Sequence, residues 1–319
     1  MNKSELNGSP HNMQQNYQDA MAMVRKFGKP DLFLTFTCNP SWFEVLNCME
    51  GVQRPEDRPD IIIRVFNMKL KELLEDICKH GIFGTVLTYI YVIEFQKRGL
   101  PHAHILLTLD SESKIRTKDD IDKFVSAELP DPCTDLSLPN CDKMHGHDAA
   151  SVKIQKEGAL DHDEILTFVE GRYVSAPGAM WRLNEFNLSH KSHTVVRLAV
   201  HLPQQQPIVY QDGQEAQAIE RAALRKTTLT SWFELNKNDP SGHNISYSDI
   251  PQYYVFDKST TNWKKRQLGG QNVIGRQPVV SILDTERYYL RKLLLRKSGA
   301  ISFDDILTVN GLRCMFMLS

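Results

Sequence analysis

The sequence predicts an α+β fold, an antiparallel sheet with packed helices, followed by a mixed, mostly helical C-terminal region. Three observations carry it. Over residues 12–130 the apolar pattern runs helix, strand, helix, strand, strand, helix, an order that lays helices on an antiparallel sheet. The stretch Ile61–Lys79 keeps Ile62, Val65, Phe66, Leu70, Leu73, Leu74 and Ile77 on one helical face and Lys69, Lys71, Glu72 and Glu75 off it. Two runs dense in β-branched and aromatic residues, Thr85–Phe95 and His102–Leu109, flank the turn QKRGLP, which makes them an antiparallel hairpin.

Taken in order, residues 1–11 are polar and read as a frayed lead-in. Tyr17, Ala20, Met21, Val24 and Phe27 then recur at helical spacing, and Gly28 and Pro30 stop the helix. LFLTFT, Leu32–Thr37, is a strand that ends at the Asn39-Pro40 turn. The polar loop GVQRPEDRPD leads into the long helix, which Gly81 ends. After the hairpin a charged helical stretch covers Thr117–Glu128, and Pro130, Pro132 and Pro139 forbid regular structure up to Asp142. Residues 131–160 are therefore an irregular junction, and 161–319 an accessory region. Within it Asp161–Leu183 reads as two helical pieces, with a linker near 203–214. Glu215–Glu234 reads as a strong helix and Ile245–Phe256 as extended. Arg287–Lys297 fits a strand or a helix equally.

The chain has 319 residues, of which 41% are hydrophobic, enough for a sizeable core. Its 38 Lys+Arg against 39 Asp+Glu give a net charge of -1, which excludes a wholesale basic nucleic-acid wrapper but leaves room for a local basic site. No apolar run reaches the roughly 18 residues a membrane span needs. MNKSELNGSPHNMQQ has no apolar core of a signal peptide, so a reducing compartment is expected, the nucleus or otherwise the cytoplasm. Cysteines 38, 48, 78, 133, 141 and 314 contain no CxxC and read as free thiols.

His102 and His104 are two apart on a strand, so both imidazoles share a face, with Ala103, Ile105 and Leu107 on the other. A hairpin register that pairs Gln96 with His102 sets Glu94 opposite His104, with all four polar side chains within cross-strand reach. Two imidazoles plus a carboxylate or amide suit a divalent metal. A hard ion such as Mg²⁺ or Mn²⁺ would leave positions open for water or phosphate oxygen and act as a Lewis acid. Lys97 and Arg98 in the turn would contact phosphate. The bland alternative for His-X-His is a surface pair with no ligand. KSTTNWKKRQLGG, Lys258–Gly270, is the clearest basic patch with an aromatic. Trp263 could stack a base, and Lys264, Lys265 and Arg266 could hold a backbone. The alternative is a solvated charged loop. The clusters His145, His147, Asp148 and His190, His193 read as solvated loops.

GLPHAHILL, Gly99–Leu107, resembles the HUH motif of rolling-circle replication initiators, in which an apolar residue separates two histidines. The longer YVIEFQKRGLPHAHILLTL, Tyr91–Leu109, resembles the Rep nuclease of Helitron transposons, the Helitron helicase-like N-terminal domain. Asn12–Pro40, Arg58–Ile77, GRYVSAPGAMWRL and ISFDDILTVNG are similar to further stretches of the same polyprotein. The resemblance implies that His102 and His104 hold a metal that polarises a phosphate of single-stranded DNA. A tyrosine then attacks, leaving a 5′-phosphotyrosine and a free 3′ hydroxyl. Glu94, eight residues before His102, matches the acidic-ligand spacing of viral initiators, and Gln96 is the competing candidate.

The departure from that family falls on the nucleophile. Its tyrosines sit on a helix just before a stretch like YKGHDRA. Here GHDAA is preceded by Asp142, Lys143, Met144 and His145, with only proline-rich sequence upstream. A segment between about Pro132 and Asp142 reads as lost, and the nucleophile with it. No G-x-x-x-x-G-K-[ST] occurs, so no helicase is expected. Tyr288 and Tyr289 precede Lys292 in ERYYLRKLLL, where apolar packing accounts for both rings. Tyr173 reads as a structural position, and Tyr253 and Tyr254 as base-stacking candidates. The expectation is a domain that binds metal and single-stranded DNA without forming the covalent adduct, or else a non-catalytic remnant that binds without metal.

Overall fold

A computed structural model describes residues 10–96, 99–124, 175–206, 213, 217, 225–309 and 312–313. The chain divides into two units, Met1–Ser192 and His193–Ser319. The Pro132–Asp142 junction, Tyr173 and the His145, His147, Asp148 cluster lie outside the described residues, as does 161–174 of the first predicted helical piece.

The first unit is built on a four-stranded sheet in the order β1-β3-β2-β4. The strands are β1 (Leu32–Thr37), β2 (Val86–Phe95), β3 (Pro101–Leu109) and β4 (Ser189–Lys191), with every neighbouring pair antiparallel. One face carries Leu34, Phe36, Ile93, Ala103, Ile105 and Leu107, and packs on the long helix α3 (Pro59–Cys78). That helix buries Ile62, Ile63, Val65, Phe66, Leu70 and Ile77, the face its periodicity predicts. Each such side chain contributes roughly 1.5–3 kcal/mol by leaving water. Phe66 is the hub: its ring lies 5.3 Å from Phe36, 6.5 Å from Trp42 and 6.1 Å from Trp181. Trp42 precedes the short α2 (Phe43–Leu46); α4 (Lys118–Asp122) and α5 (Ala176–Leu183), which carries Trp181, follow the hairpin. Trp181 and the pairing of β4 with β2 tie residues 176–191 to this sheet, although the sequence reading groups them with the C-terminal region.

The opposite face of the sheet carries α1 (Pro10–Phe27). Lys191 pairs across from Ile90, which puts its side chain on the same face as Glu94, and its Nζ donates to Asp19 Oδ2 (2.6 Å) and Asn16 Oδ1 (3.3 Å) on α1. This anchor corrects the predicted helix orientation. The buried positions are Asp19, Ala22 and Met23, while Tyr17 is 66% exposed and Met21 is also exposed. A buried ion pair requires its partner to point at Lys191, and that requirement overrides the apolar stripe. The helix also begins two residues inside the expected lead-in.

In the second unit a mixed set of elements surrounds a core of Leu229, Trp232, Phe233, Tyr247, Ile250, Tyr254, Leu290 and Leu294. Parallel β5 (Thr194–Arg197) and β8 (Val273–Arg276) form one small sheet, and antiparallel β6 (Tyr254–Asp257) and β7 (Asn262–Lys265) another. Helix α6 (Thr228–Asn238) starts at Thr227, whose hydroxyl accepts the Thr230 N–H (3.2 Å). Residues 225–227 are not helical, so no continuous helix runs from Glu215 to Glu234. The predicted extended run Ile245–Phe256 contains a helical turn, α7 (Ile250–Tyr253), which accommodates Pro251 because a first-turn N–H has no intrahelical partner to lose. The undecided Arg287–Lys297 resolves as helix α8 (Thr285–Leu294), capped by Asp284. Helix α9 (Phe303–Leu307) and the short pair β9 (Thr308–Val309) and β10 (Leu312–Arg313) follow.

Candidate functional site

The two histidines lie on β3, between β1 and β2, and alternation turns both away from α3. His102 pairs with Thr37 on one side and Glu94 on the other; His104 pairs with Thr35 and Val92. The register differs by two residues from the expected one: Glu94, and not Gln96, stands opposite His102. The reason is the turn. Gln96 N–H donates to Leu100 O (3.0 Å) and Gly99 N–H to Gln96 O (2.7 Å), which closes the loop one pair earlier than expected. A two-residue slip leaves every side chain on its face, so Gln96 moves beyond the last pair while Glu94 stays in reach. Lys97 and Arg98 lie outside the described residues.

Each imidazole is held from the side by the threonine paired with it across β1. His102 Nδ1 is hydrogen-bonded to Thr37 Oγ1 (3.1 Å), and His104 Nδ1 to Thr35 Oγ1 (3.4 Å). The Nε2 atoms thereby point away from the threonines. His104 Nε2 meets Glu94 Oε2 at 3.0 Å. His102, 9% exposed, keeps a buried Nε2 with no hydrogen-bond partner. Burial first, then the adjacent His104, hold His102 below the usual histidine value, against an opposing pull from Glu94. The neutral imidazole is the form that ligates metal.

The donor chemistry fits a divalent ion: two imidazoles with their Nδ1 atoms fixed, one unpartnered Nε2 and a neighbouring carboxylate. The three groups do not close round one point. Glu94 is spent on His104, the two imidazole centroids are 6.4 Å apart, and among the described residues no three His, Cys, Asp or Glu side chains form a closed metal set.

Other expected sites are placed differently. Trp263 is 7% exposed on β7, and its Nε1–H donates to Thr228 O (3.0 Å). The indole belongs to the core of the second unit and offers no face to a base, which corrects the stacking expectation. Its hydrophobic neighbours outweigh the basic residues that follow it. Lys264 is paired with Asp257, and Arg266 Nε donates to Pro251 O (2.9 Å); Lys265 is exposed. Tyr254 is buried, with its hydroxyl donating to Asp239 Oδ2 (3.0 Å). Lys292 Nζ sits over the rings of both Tyr288 (4.7 Å) and Tyr289 (5.6 Å). His190 and His193 are not in a solvated loop. His190 is on β4, stacked with Tyr89 (5.7 Å) and Tyr91 (5.6 Å), and His193 is buried.

Sequence reading missed Thr35, Thr37 and Phe33. The signal was the alternation in LFLTFT, which puts these three on one face of β1; that β1 adjoins the histidine strand was not legible. No curated protein matches the chain. A family model described as the Helitron helicase-like domain at N-terminus matches residues 1–107, the stretch that supplies α1, β1, α3, β2 and β3 as far as Leu107. The first third of the chain is thus similar to the Helitron helicase-like N-terminal domain.

Proposed function

We propose that the histidine-bearing sheet face of the first unit binds a divalent cation, Mg²⁺ or Mn²⁺, on His102, His104 and Glu94, and with it a phosphate of single-stranded DNA, as an HUH-type Rep domain for rolling-circle transposition. The observation that carries this is the pair of threonine-anchored imidazoles, with His102 Nε2 buried and unpartnered beside Glu94. A bound ion would supply Lewis-acid polarisation of the phosphate. Thr37 and Thr35 fix the ring orientations, and burial favours the neutral form of His102. Glu94, 68% exposed at its side chain, can leave His104 at little cost, because such an exposed pair is worth under about 1 kcal/mol.

The same reading makes the chain a binder and not a nuclease. A covalent adduct needs a phenolic oxygen in line with phosphorus, at about 3–3.5 Å. Tyr89 and Tyr91 belong to the α3 side of the sheet, packed with His190. Tyr17 is on α1, on the histidine side, and exposed. Where the family carries its tyrosines, this sequence has Asp142, Lys143, Met144 and His145 instead.

A second reading, a DNA-binding remnant without metal, is favoured by one observation: Glu94 already satisfies His104. Calorimetric titration with Mn²⁺, followed by single-stranded DNA, separates the two. The first reading expects Mn²⁺ binding that His102→Ala abolishes, and DNA affinity that falls with salt at a slope of about 0.7 per phosphate contact. DNA binding indifferent to Mn²⁺ and to His102→Ala would establish the second. A denaturation-resistant protein–DNA species would overturn the inactivity, and an adduct mapped to Tyr17 would name the nucleophile.

A further inference from the structure

We infer that Phe33 is a base-stacking platform, seating the nucleotide next to the phosphate held at His102 and His104; this rests on the single-stranded DNA reading above. Phe33 is on β1, the edge strand of the sheet, with its side chain on the histidine face and Leu106 directly across. Its ring lies parallel to that of His104, with centroids 5.6 Å apart and planes 7° apart. His104 is in turn stacked with His102 at 6.4 Å and 28°. The three rings form a row along the face, and Phe33 is its outer end.

A lone exposed aromatic side chain is ordinary. Two features set this one apart. The His104 contact covers one side of the ring and fixes its plane, yet the residue remains 63% exposed, so the other side faces solvent. Its surroundings on the face are apolar: Leu106 lies across from it, and Val92, which pairs with His104, is also exposed. A charged backbone gains nothing there, whereas a base gains a desolvated π-contact that any of the four bases can make. The row thus divides the labour, with the phosphate at the imidazole end and the base at the Phe33 end. Because the ring is already held in place, little ordering is lost on binding.

The test uses the whole chain and mixed-sequence single-stranded oligodeoxynucleotides carrying 2-aminopurine at successive positions. The expected result is quenching at one position, lost in Phe33→Leu together with a roughly 5- to 100-fold drop in affinity. Phe33→Trp restores both, and Mn²⁺ affinity is unchanged in either variant. If Phe33→Leu binds DNA as the unsubstituted chain does, the platform is wrong while the DNA reading stands. If it weakens Mn²⁺ and DNA in parallel, Phe33 serves only as a wall for His104, and the inference falls. If the unsubstituted chain binds no single-stranded DNA, the reading beneath it falls first.

Discussion

Glu94 pairs across the hairpin with His102, yet its carboxylate meets the next histidine along, 3.0 Å from His104 Nε2. The diagonal contact leaves His102 Nε2 as the buried atom without a partner, on a ring whose far side is pinned by Thr37.

That pin gives the first prediction. Thr37→Val keeps the shape of the side chain and removes the hydroxyl that orients His102. Loss of such a supporting hydrogen bond typically lowers metal affinity by roughly 10- to 100-fold. Mn²⁺ titration should show that drop with the thermal midpoint of the apo chain nearly unchanged. An unchanged affinity would mean that Thr37 does not set the imidazole for metal.

Gly99 closes the turn that fixes the register. It is at φ 84°, and a Cβ there would come 3.0 Å from Pro177 Cδ and 3.0 Å from Ser175 Cβ. Gly99→Ala therefore combines a left-handed backbone with a close approach to α5, and should cost about 1–3 kcal/mol. Urea unfolding checks it; a loss under a few tenths of a kcal/mol would show that the loop yields freely.

Lys191 and Asp19 join β4 to α1, with side chains 23% and 6% exposed. Removing one partner leaves a nearly buried charge, so Lys191→Ala should destabilise by about 2–4 kcal/mol, somewhat below the fully buried case. The double replacement Asp19→Leu with Lys191→Met should recover much of it. Equal losses in the single and double variants would show that packing, not charge, holds α1.

His190 provides a pH test away from the candidate site. Burial first, then the neighbouring Lys191, hold it below the usual histidine value. The unfolded chain, with a histidine near 6.5, takes up the proton first as pH falls. This contribution to stability is complete above about pH 6.5 and is lost as pH drops through the folded value. His190→Phe can still stack with Tyr89 and Tyr91 but cannot titrate. Its stability should fall less than that of the unsubstituted chain between about pH 7 and pH 5.5. Parallel curves would exclude His190 as the source.

The sheet and its buried face were legible because β1, α3 and the hairpin each show strong local periodicity. What the sequence concealed was set by groups far apart in the chain. The rotation of α1 depends on Lys191, and the hairpin register on the backbone bonds of Gln96, Gly99 and Leu100. In the second unit Trp263 reads as a basic-patch aromatic until Thr228 O and the core around it are placed. For the site, period-2 spacing delivered His102, His104 and Glu94 to one face, but Thr35, Thr37 and Phe33 required knowing which strand lies beside β3.

The most direct measurement of the central claim is pulsed electron paramagnetic resonance on Mn²⁺ added to the whole chain. The account predicts ¹⁴N modulation from two imidazoles, reduced to one in His104→Ala, and loss of the bound Mn²⁺ signal in the double alanine variant. Mn²⁺ that remains fully hydrated, or modulation that survives both substitutions, would contradict it.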